Sequence, residues 1–230
     1  MTPPLFEDVD ILAVNKPEGL ASIPERDPTQ EVLLSQLSAT RATKLYLVHR
    51  LDKEVSGVIL FAKNAAAHKF LNEQFSRHTV RKTYRAVVLG VVAQESGTID
   101  APLRQFGSGR MGVDSKRGKE SVTSFHVLTR FAAHTLIEVR PVTGRRHQIR
   151  VHLHSRGHAI VGDPLYGEKA MQHRFLRLML HVQKIEFRLP SGDDVVIEAP
   201  VPDSFTQGLK MVQVPSTRGA LKPTLFGTDD

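Results

Sequence analysis

Short apolar runs of strand length recur along the chain, separated by turn residues. Ile11-Leu12-Ala13-Val14 leads into a Lys16-Pro17 turn, and Leu45-Tyr46-Leu47-Val48 and Val58-Ile59-Leu60-Phe61-Ala62 flank the polar stretch His49–Gly57. Further strand-like runs lie at 82–92, 121–130, 134–140, 183–189 and 194–199. Helical periodicity is confined to three segments. Glu31–Ala39 and Asn64–Arg77 read as helices, the second with Asn64 as N-cap and Phe70, Leu71 and Phe75 turned inward. In the third, Thr143-Gly144 suits a helix start and Gly157 a C-terminal stop. Between them Ile149 and Leu153 fall at i,i+4 on a core-facing stripe, and Arg146 and Arg150, also four apart, share another face. Many strands with few interspersed helices predict an α+β fold around a mostly antiparallel sheet.

The 230 residues suffice for one sizeable core, so a single domain is expected over residues 1–206. Residues 207–230, poor in aromatics and broken by Pro215, Gly219 and Pro223, read as a loosely packed tail. Residues 104–120 are Gly-rich and basic. They fit either a mobile loop that closes over a ligand or a plain solvated hairpin loop.

Two polar segments carry candidate chemistry. Asp52 lies in a short turn between two strand-like runs, with Arg50 and Lys53 beside it. A strand–turn–strand frame holds its tip rigidly, and a positioned, ionised aspartate serves as nucleophile or base. Most turn aspartates only cap the backbone or face water, so the turn alone does not decide. The second segment, Pro141–His158, carries Arg145, Arg146, Arg150 and Arg156 and no acid. Such a helix offers one Arg inward to a carboxylate and others outward to phosphates.

Charge points the same way. Lys and Arg number 31 against 24 Asp and Glu, a net charge of +7, and the pI is about 9.8. A basic surface raises affinity for polyanions without setting sequence preference. The absence of Cys excludes disulfides and cysteine-ligated zinc and fits a reducing compartment. Met1-Thr2-Pro3-Pro4 shows no signal-peptide pattern, and no stretch of about 18 apolar residues suits a membrane helix, so the cytoplasm is the expected site. His147, His152, His154 and His158 invite a metal reading, but Gly157 interrupts their spacing and four arginines oppose a cation, so no metal is expected. There is no phosphate-loop or dinucleotide fingerprint.

Five blocks in one order carry a family resemblance: Val14–Leu20, His49–Gly57, Arg81–Val88, Thr143–Leu153 and Gly157–Gly167. Together they resemble the RluA-type RNA pseudouridine synthases, whose hallmark is His-Arg-Leu-Asp-x-x-Thr-Ser-Gly. Val55 stands where that family usually has Thr, putting a turn hydroxyl in doubt, and Val182 stands where a small Ala is usual after His181. The resemblance implies a pseudouridine synthase-like fold: a mostly antiparallel mixed sheet, flanking helices and a central RNA-binding cleft. It implies isomerisation of a uridine in ribosomal or transfer RNA, breaking N1–C1′ and joining C5 to C1′, on a uridine flipped out of its helix. The reaction is redox-neutral, so no cofactor is expected. By motif match Asp52 is the essential aspartate, attacking C1′ or removing the 2′ proton. Tyr84 stacks on the uracil and helps remove the C5 proton, Arg150 pairs with the aspartate, and Leu180 lines the pocket. Arg50, Arg145, Arg146 and His147 are the implied RNA contacts, and the partner is a structured RNA bound by a monomer. The match begins near residue 9, leaving no room for the S-four-type N-terminal domain of some family members.

Elementary chemistry agrees with these roles. Rejoining a freed uracil requires that the base stay captive, which a stacking aromatic and an apolar wall achieve. Without the resemblance, Tyr84 reads first as a core tyrosine with a satisfied hydroxyl, and Arg150 fits a phosphate contact equally well. Two rival functions remain: a non-catalytic RNA-binding factor, and a nucleoside or glycoside hydrolase using Asp52 with a second carboxylate such as Glu54. Pseudouridine, free uracil or no product tells the three apart.

Overall fold

In the computed structural model the described residues are 3–24, 30–41, 44–172 and 174–213. Along the chain come β1 (Pro4–Glu7), β2 (Ile11–Lys16), α1 (Leu33–Arg41), β3 (Tyr46–Leu47), β4 (Ser56–Ala62), α2 (Ala65–Ser76), β5 (Arg81–Leu89) and β6 (Ser96–Asp100). There follow β7 (Leu103–Gln105), β8 (Met111–Val113), β9 (Val122–Arg130), β10 (His134–Pro141), α3 (Gln148–Ser155), α4 (Lys169–Gln172), β11 (Leu180–Arg188), β12 (Asp194–Glu198) and α5 (Asp203–Gln213). The expected α+β class holds. Within the two units below, strand pairing is antiparallel except where β11 runs parallel to β4.

Where one domain is expected, the chain divides into two compact units, residues 1–83 with 181–201 and residues 84–180 with the segment from 202 onward. In the first unit the strand order is β1-β2-β4-β11, with β12 beside β11 and β3 on β4. All seven residues of β4 are buried, and so are five of the six in β2. Strands covered on both faces take continuous apolar runs rather than alternation, which is the pattern of Val58–Ala62 and Ile11–Val14. Asn64 caps α2 as expected, its side-chain oxygen accepting from the Ala67 N–H at 2.9 Å. Leu71 is buried, whereas Phe70 and Phe75 keep part of their surface exposed.

In the second unit the order is β5-β10-β9-β6, with β7 and β8 as a separate hairpin. Helix α3 lies against β8, β9 and β10. It starts at Gln148 rather than at Thr143, with His147 as its N-cap. It stops as expected: Gly157 adopts φ 79°, and the His158 N–H reaches back to the Leu153 carbonyl at 2.9 Å.

Of the two readings of 104–120, the structure has the hairpin, and part of the stretch expected as a loose tail is helical. Within 104–120, β7 and β8 pair through Leu103↔Val113, Arg104↔Gly112 and Gln105↔Met111. The Asp114 carboxylate then accepts from the N–H groups of Lys116 (3.0 Å) and Arg117 (2.9 Å), and Leu103 and Lys119 exchange backbone bonds of 2.9 and 2.8 Å. The expected tail boundary at 206 falls inside α5, where Phe205, Gly208 and Val212 form a buried i,i+3,i+7 stripe. The rest of the expected tail, 214–230, lies outside the described residues. Among the described residues no helix is long and apolar enough to cross a membrane.

Candidate active site

Residues 48–55 leave the short β3 and return on β4, the two strands pairing through Tyr46↔Ala62 and Leu47↔Phe61. On β4 the parallel partner β11 covers only Ser56 and Gly57. The Leu60 N–H, between those two pairings, donates to His49 Nε2 at 3.0 Å. That bond makes Nε2 an acceptor, so the neutral ring carries its proton on Nδ1. The ring also stacks on Phe75, 4.8 Å between centroids at 26°. Burial, and then the charge of Lys82, pull the His49 pKa down to about 3.

The Asp52 turn is clamped from both sides. The Val55 N–H donates to the Asp52 carbonyl at 3.0 Å, so the turn closes through the backbone without the hydroxyl that Thr would carry at position 55. Lys16 is fully buried, and its ammonium donates to the carbonyls of Leu20 (2.7 Å), Pro17 (2.9 Å) and Lys53 (3.1 Å). A buried ammonium needs such acceptors to offset its lost hydration. The Gly19 N–H donates to the same Lys53 carbonyl at 2.9 Å. On the other side, Ser22 Oγ donates to the Leu51 carbonyl (3.0 Å) and accepts from the Leu51 N–H (3.2 Å). Both chain neighbours of Asp52 are thus held by residues 16–22, while Asp52 is half-buried and Arg50 exposed. Just beyond the turn, Gly57 (φ 118°) presses on the backbone of Val182, and a Cβ there would stand 2.2 Å from the Val182 carbonyl oxygen. The contact uses the backbone of Val182, so Val in place of Ala leaves it intact.

In the second unit Arg150 is 1% exposed. Its Nε and Nη2 each donate at 2.8 Å to one oxygen of Asp163, a bidentate pair in which Asp163 is equally buried. Asp163 Oδ1 also accepts from the N–H groups of Leu165 (2.8 Å) and Tyr166 (3.1 Å), and the guanidinium stands 5.3 Å from the Tyr166 ring centre. Reading the sequence did not single out Asp163, whose only local signal is the Gly162-Asp163-Pro164 turn.

Tyr84 is buried on β5 opposite Val139 of β10. Leu180 is buried as well, and its carbonyl accepts from Arg177 Nη2 at 3.3 Å. Arg145 and Arg146 are exposed ahead of α3, so Arg146 shares no helical face with Arg150. His147 takes the left-handed conformation (φ 52°), with Nδ1 3.0 Å from the Tyr166 hydroxyl. The sequence also gave no sign of the role of Gln148. Its Oε1 accepts from Thr143 Oγ1 (2.7 Å) and the Arg145 N–H (3.0 Å), and its Nε2 donates to the Val122 carbonyl (2.9 Å) and Thr123 Oγ1 (3.0 Å). This saturated amide folds residues 143–147 into a loop that holds Arg145 and Arg146 outward.

Each unit by itself carries a feature suited to a polyanion: the first a clamped aspartate turn, the second a buried arginine behind an exposed basic loop. The family profile described as RNA pseudouridylate synthase matches residues 10–155. The chain belongs to this family. It is 39% identical over 213 residues to a Bacillus subtilis protein named "Uncharacterized RNA pseudouridine synthase YlyB", covering 88% of this chain and 70% of that one. It is 36% identical over 230 residues to the "Ribosomal large subunit pseudouridine synthase D" of Zymomonas mobilis, covering 91% and 72%. With the "Dual-specificity RNA pseudouridine synthase RluA" of Vibrio vulnificus it shares 40% over 195 residues, covering 82% and 78%. Among solved structures, human "RNA Pseudouridylate Synthase Domain Containing 4" superposes with a TM-score of 0.76 at 25% identity, covering 91% of this chain and 92% of that one. This RNA pseudouridine synthase therefore isomerises uridine to pseudouridine in an RNA substrate.

Proposed function

We propose that the enzyme modifies a uridine of structured ribosomal or transfer RNA, with Asp52 as its essential aspartate, Tyr84 and Arg150 as catalytic partners, and residues 1–206 acting together as a monomeric catalytic domain. The observation that carries the assignment of Asp52 is its clamped turn, in which the Leu51 and Lys53 carbonyls on either side are each held by hydrogen bonds from residues 16–22. Such rigidity is what a carboxylate needs to meet a sugar carbon at a set distance. Names of similar proteins support the RNA class, one specifying the ribosomal large subunit and another dual specificity.

The aspartate attacks C1′ or removes the 2′ proton. On either route N1–C1′ breaks, and the positive character gathering near C1′ is stabilised by the carboxylate. The freed uracil turns and C5 bonds to C1′, as the aspartate–C1′ bond breaks on the first route or the 2′ proton returns on the second. The C5 proton leaves to water with help from the Tyr84 hydroxyl and N1 takes up a proton, so the composition of the nucleoside is unchanged. Arg150 orients the carboxylate chemistry, Leu180 walls the pocket, and Arg50, Arg145, Arg146 and His147 hold the RNA around a flipped uridine.

The test compares pseudouridine maps of ribosomal and transfer RNA treated with the wild-type chain and with Asp52→Asn. One or a few uridines converted by the wild type alone is the expected result. Near-normal conversion by Asp52→Asn would sink the aspartate assignment, and free uracil would replace isomerisation by hydrolysis.

A further inference from the structure

Lys82 is a half-buried cation that faces no acid among the described residues. Its ammonium lies 5.8 Å from the centre of the Phe75 ring, and among the described residues it makes neither an ion pair nor a hydrogen bond. Burial pulls its pKa below the ordinary lysine value, the mark of an ammonium losing hydration without a counter-charge. The ring face is only a weak substitute for a counter-charge. Sequence neighbours add no acid: Arg81 precedes Lys82 and is exposed. His49 stacks on the same Phe75 ring, neutral, with its Nε2 engaged by the Leu60 N–H. Lys82 therefore sits one aromatic ring away from the segment that carries Arg50 and Asp52.

We propose that the Lys82 ammonium is the docking point for one backbone phosphate of the RNA close to the target uridine. This deepens the function proposed above and rests on it for the identity of the RNA. Lysine suits the task, because a compact point charge accepts a phosphate oxygen from many directions. The Phe75 face beneath the ammonium and the neutral His49 stacked on that ring supply no competing anion. Among the described residues Lys82 has no ion-pair partner to hold, which sets it apart from the structural cations of the fold.

The test measures binding of a short RNA hairpin with a loop uridine across a salt series. Full-length chains carry Asp52→Asn throughout, alone or with Lys82→Met or Lys82→Arg. Lys82→Met should weaken binding about tenfold, the size of one charge-assisted hydrogen bond. Its salt slope should fall by about 0.7–0.9, whereas Lys82→Arg should stay near the parent. Placing a neutral methylphosphonate at each linkage of the loop in turn should find one position that weakens the parent by a similar factor and leaves Lys82→Met unaffected. Unchanged affinity and slope in Lys82→Met, or losses that multiply at every linkage, would overturn the site. Should Lys82→Met fail to fold, lysine side-chain NMR of the parent decides, with Lys82→Arg supplying the assignment. RNA must then raise the Lys82 pKa, and an unmoved resonance at saturation overturns the proposal. Because the readout is binding, a wild-type chain that forms no pseudouridine would refute the proposed function without touching this result.

Discussion

His49 links pH to stability through a single atom. Its Nε2 accepts the Leu60 N–H in the fold, and its pKa is held at about 3 against an ordinary value of 6.5. Between those values the unfolded chain binds a proton that the folded chain refuses. The stabilisation is therefore complete above about pH 6.5 and is lost as pH falls towards about 3, at up to ~1.4 kcal/mol per pH unit. His134 and His152 are shifted in the same direction, chiefly by burial, so the wild type must be compared with His49→Gln. Urea unfolding at intervals from about pH 4 to 6.5 should show a shallower slope for the variant; equal slopes would mean that His49 accepts a proton while folded. At this scale the sequence displayed Asp52, Tyr84 and Arg150 through their motifs. It hid Asp163, Gln148 and the burial of Lys16, because each acts through a partner elsewhere in the chain.

Two glycines show how elements constrain one another differently. A Cβ on Gly57 would meet the Val182 carbonyl oxygen at 2.2 Å, in a backbone conformation (φ 118°) that other residues rarely adopt. Backbone cannot step aside without pulling β4 from β11, so Gly57→Ala should cost about 3 kcal/mol. A Cβ on Gly208 of α5 would meet Met179 Sδ at 2.5 Å, in the middle of a flexible side chain. Methionine can repack, and the helix gains roughly 1 kcal/mol from Gly→Ala, so Gly208→Ala should change stability by less than about 1 kcal/mol. Chemical denaturation measures both, and comparable losses would show that Met179 is as fixed as a strand backbone. The same contact explains why α5 escaped a sequence reading. A stripe of Phe205, Gly208 and Val212 holds too little apolar surface to announce a helix until Met179 packs against the glycine. The edge strands β1 and β6 were missed for a related reason, since pairing with β2 and β9 orders them more than their own composition does.

Over the whole molecule, net charge +7 favours RNA, but placement decides what each cation does. Arg145 and Arg146 are exposed, whereas Arg150 is buried against Asp163. Arg145→Ala and Arg146→Ala should each lower the salt slope of RNA binding by about 0.7–0.9 with the fold intact, as measured by fluorescence anisotropy and thermal unfolding. An unchanged slope would remove that residue from the phosphate contacts. Sequence alone determined the α+β class, the apolar strands β2 and β4, the capped helix α2, the stop of α3 at Gly157 and the polar turn around Asp52. All of these follow from periodicity and capping within a few residues, where local sterics and hydrogen bonds suffice. Tertiary structure alone decided that Lys16 braces the Asp52 turn from 37 positions away, that Asp163 takes Arg150 from 13 positions away, and that Gln148 delays the start of α3 by bonding to β9. The physical reason is that a buried charge or amide is stable only when its partners converge on it, and convergence belongs to the folded chain rather than to spacing along it.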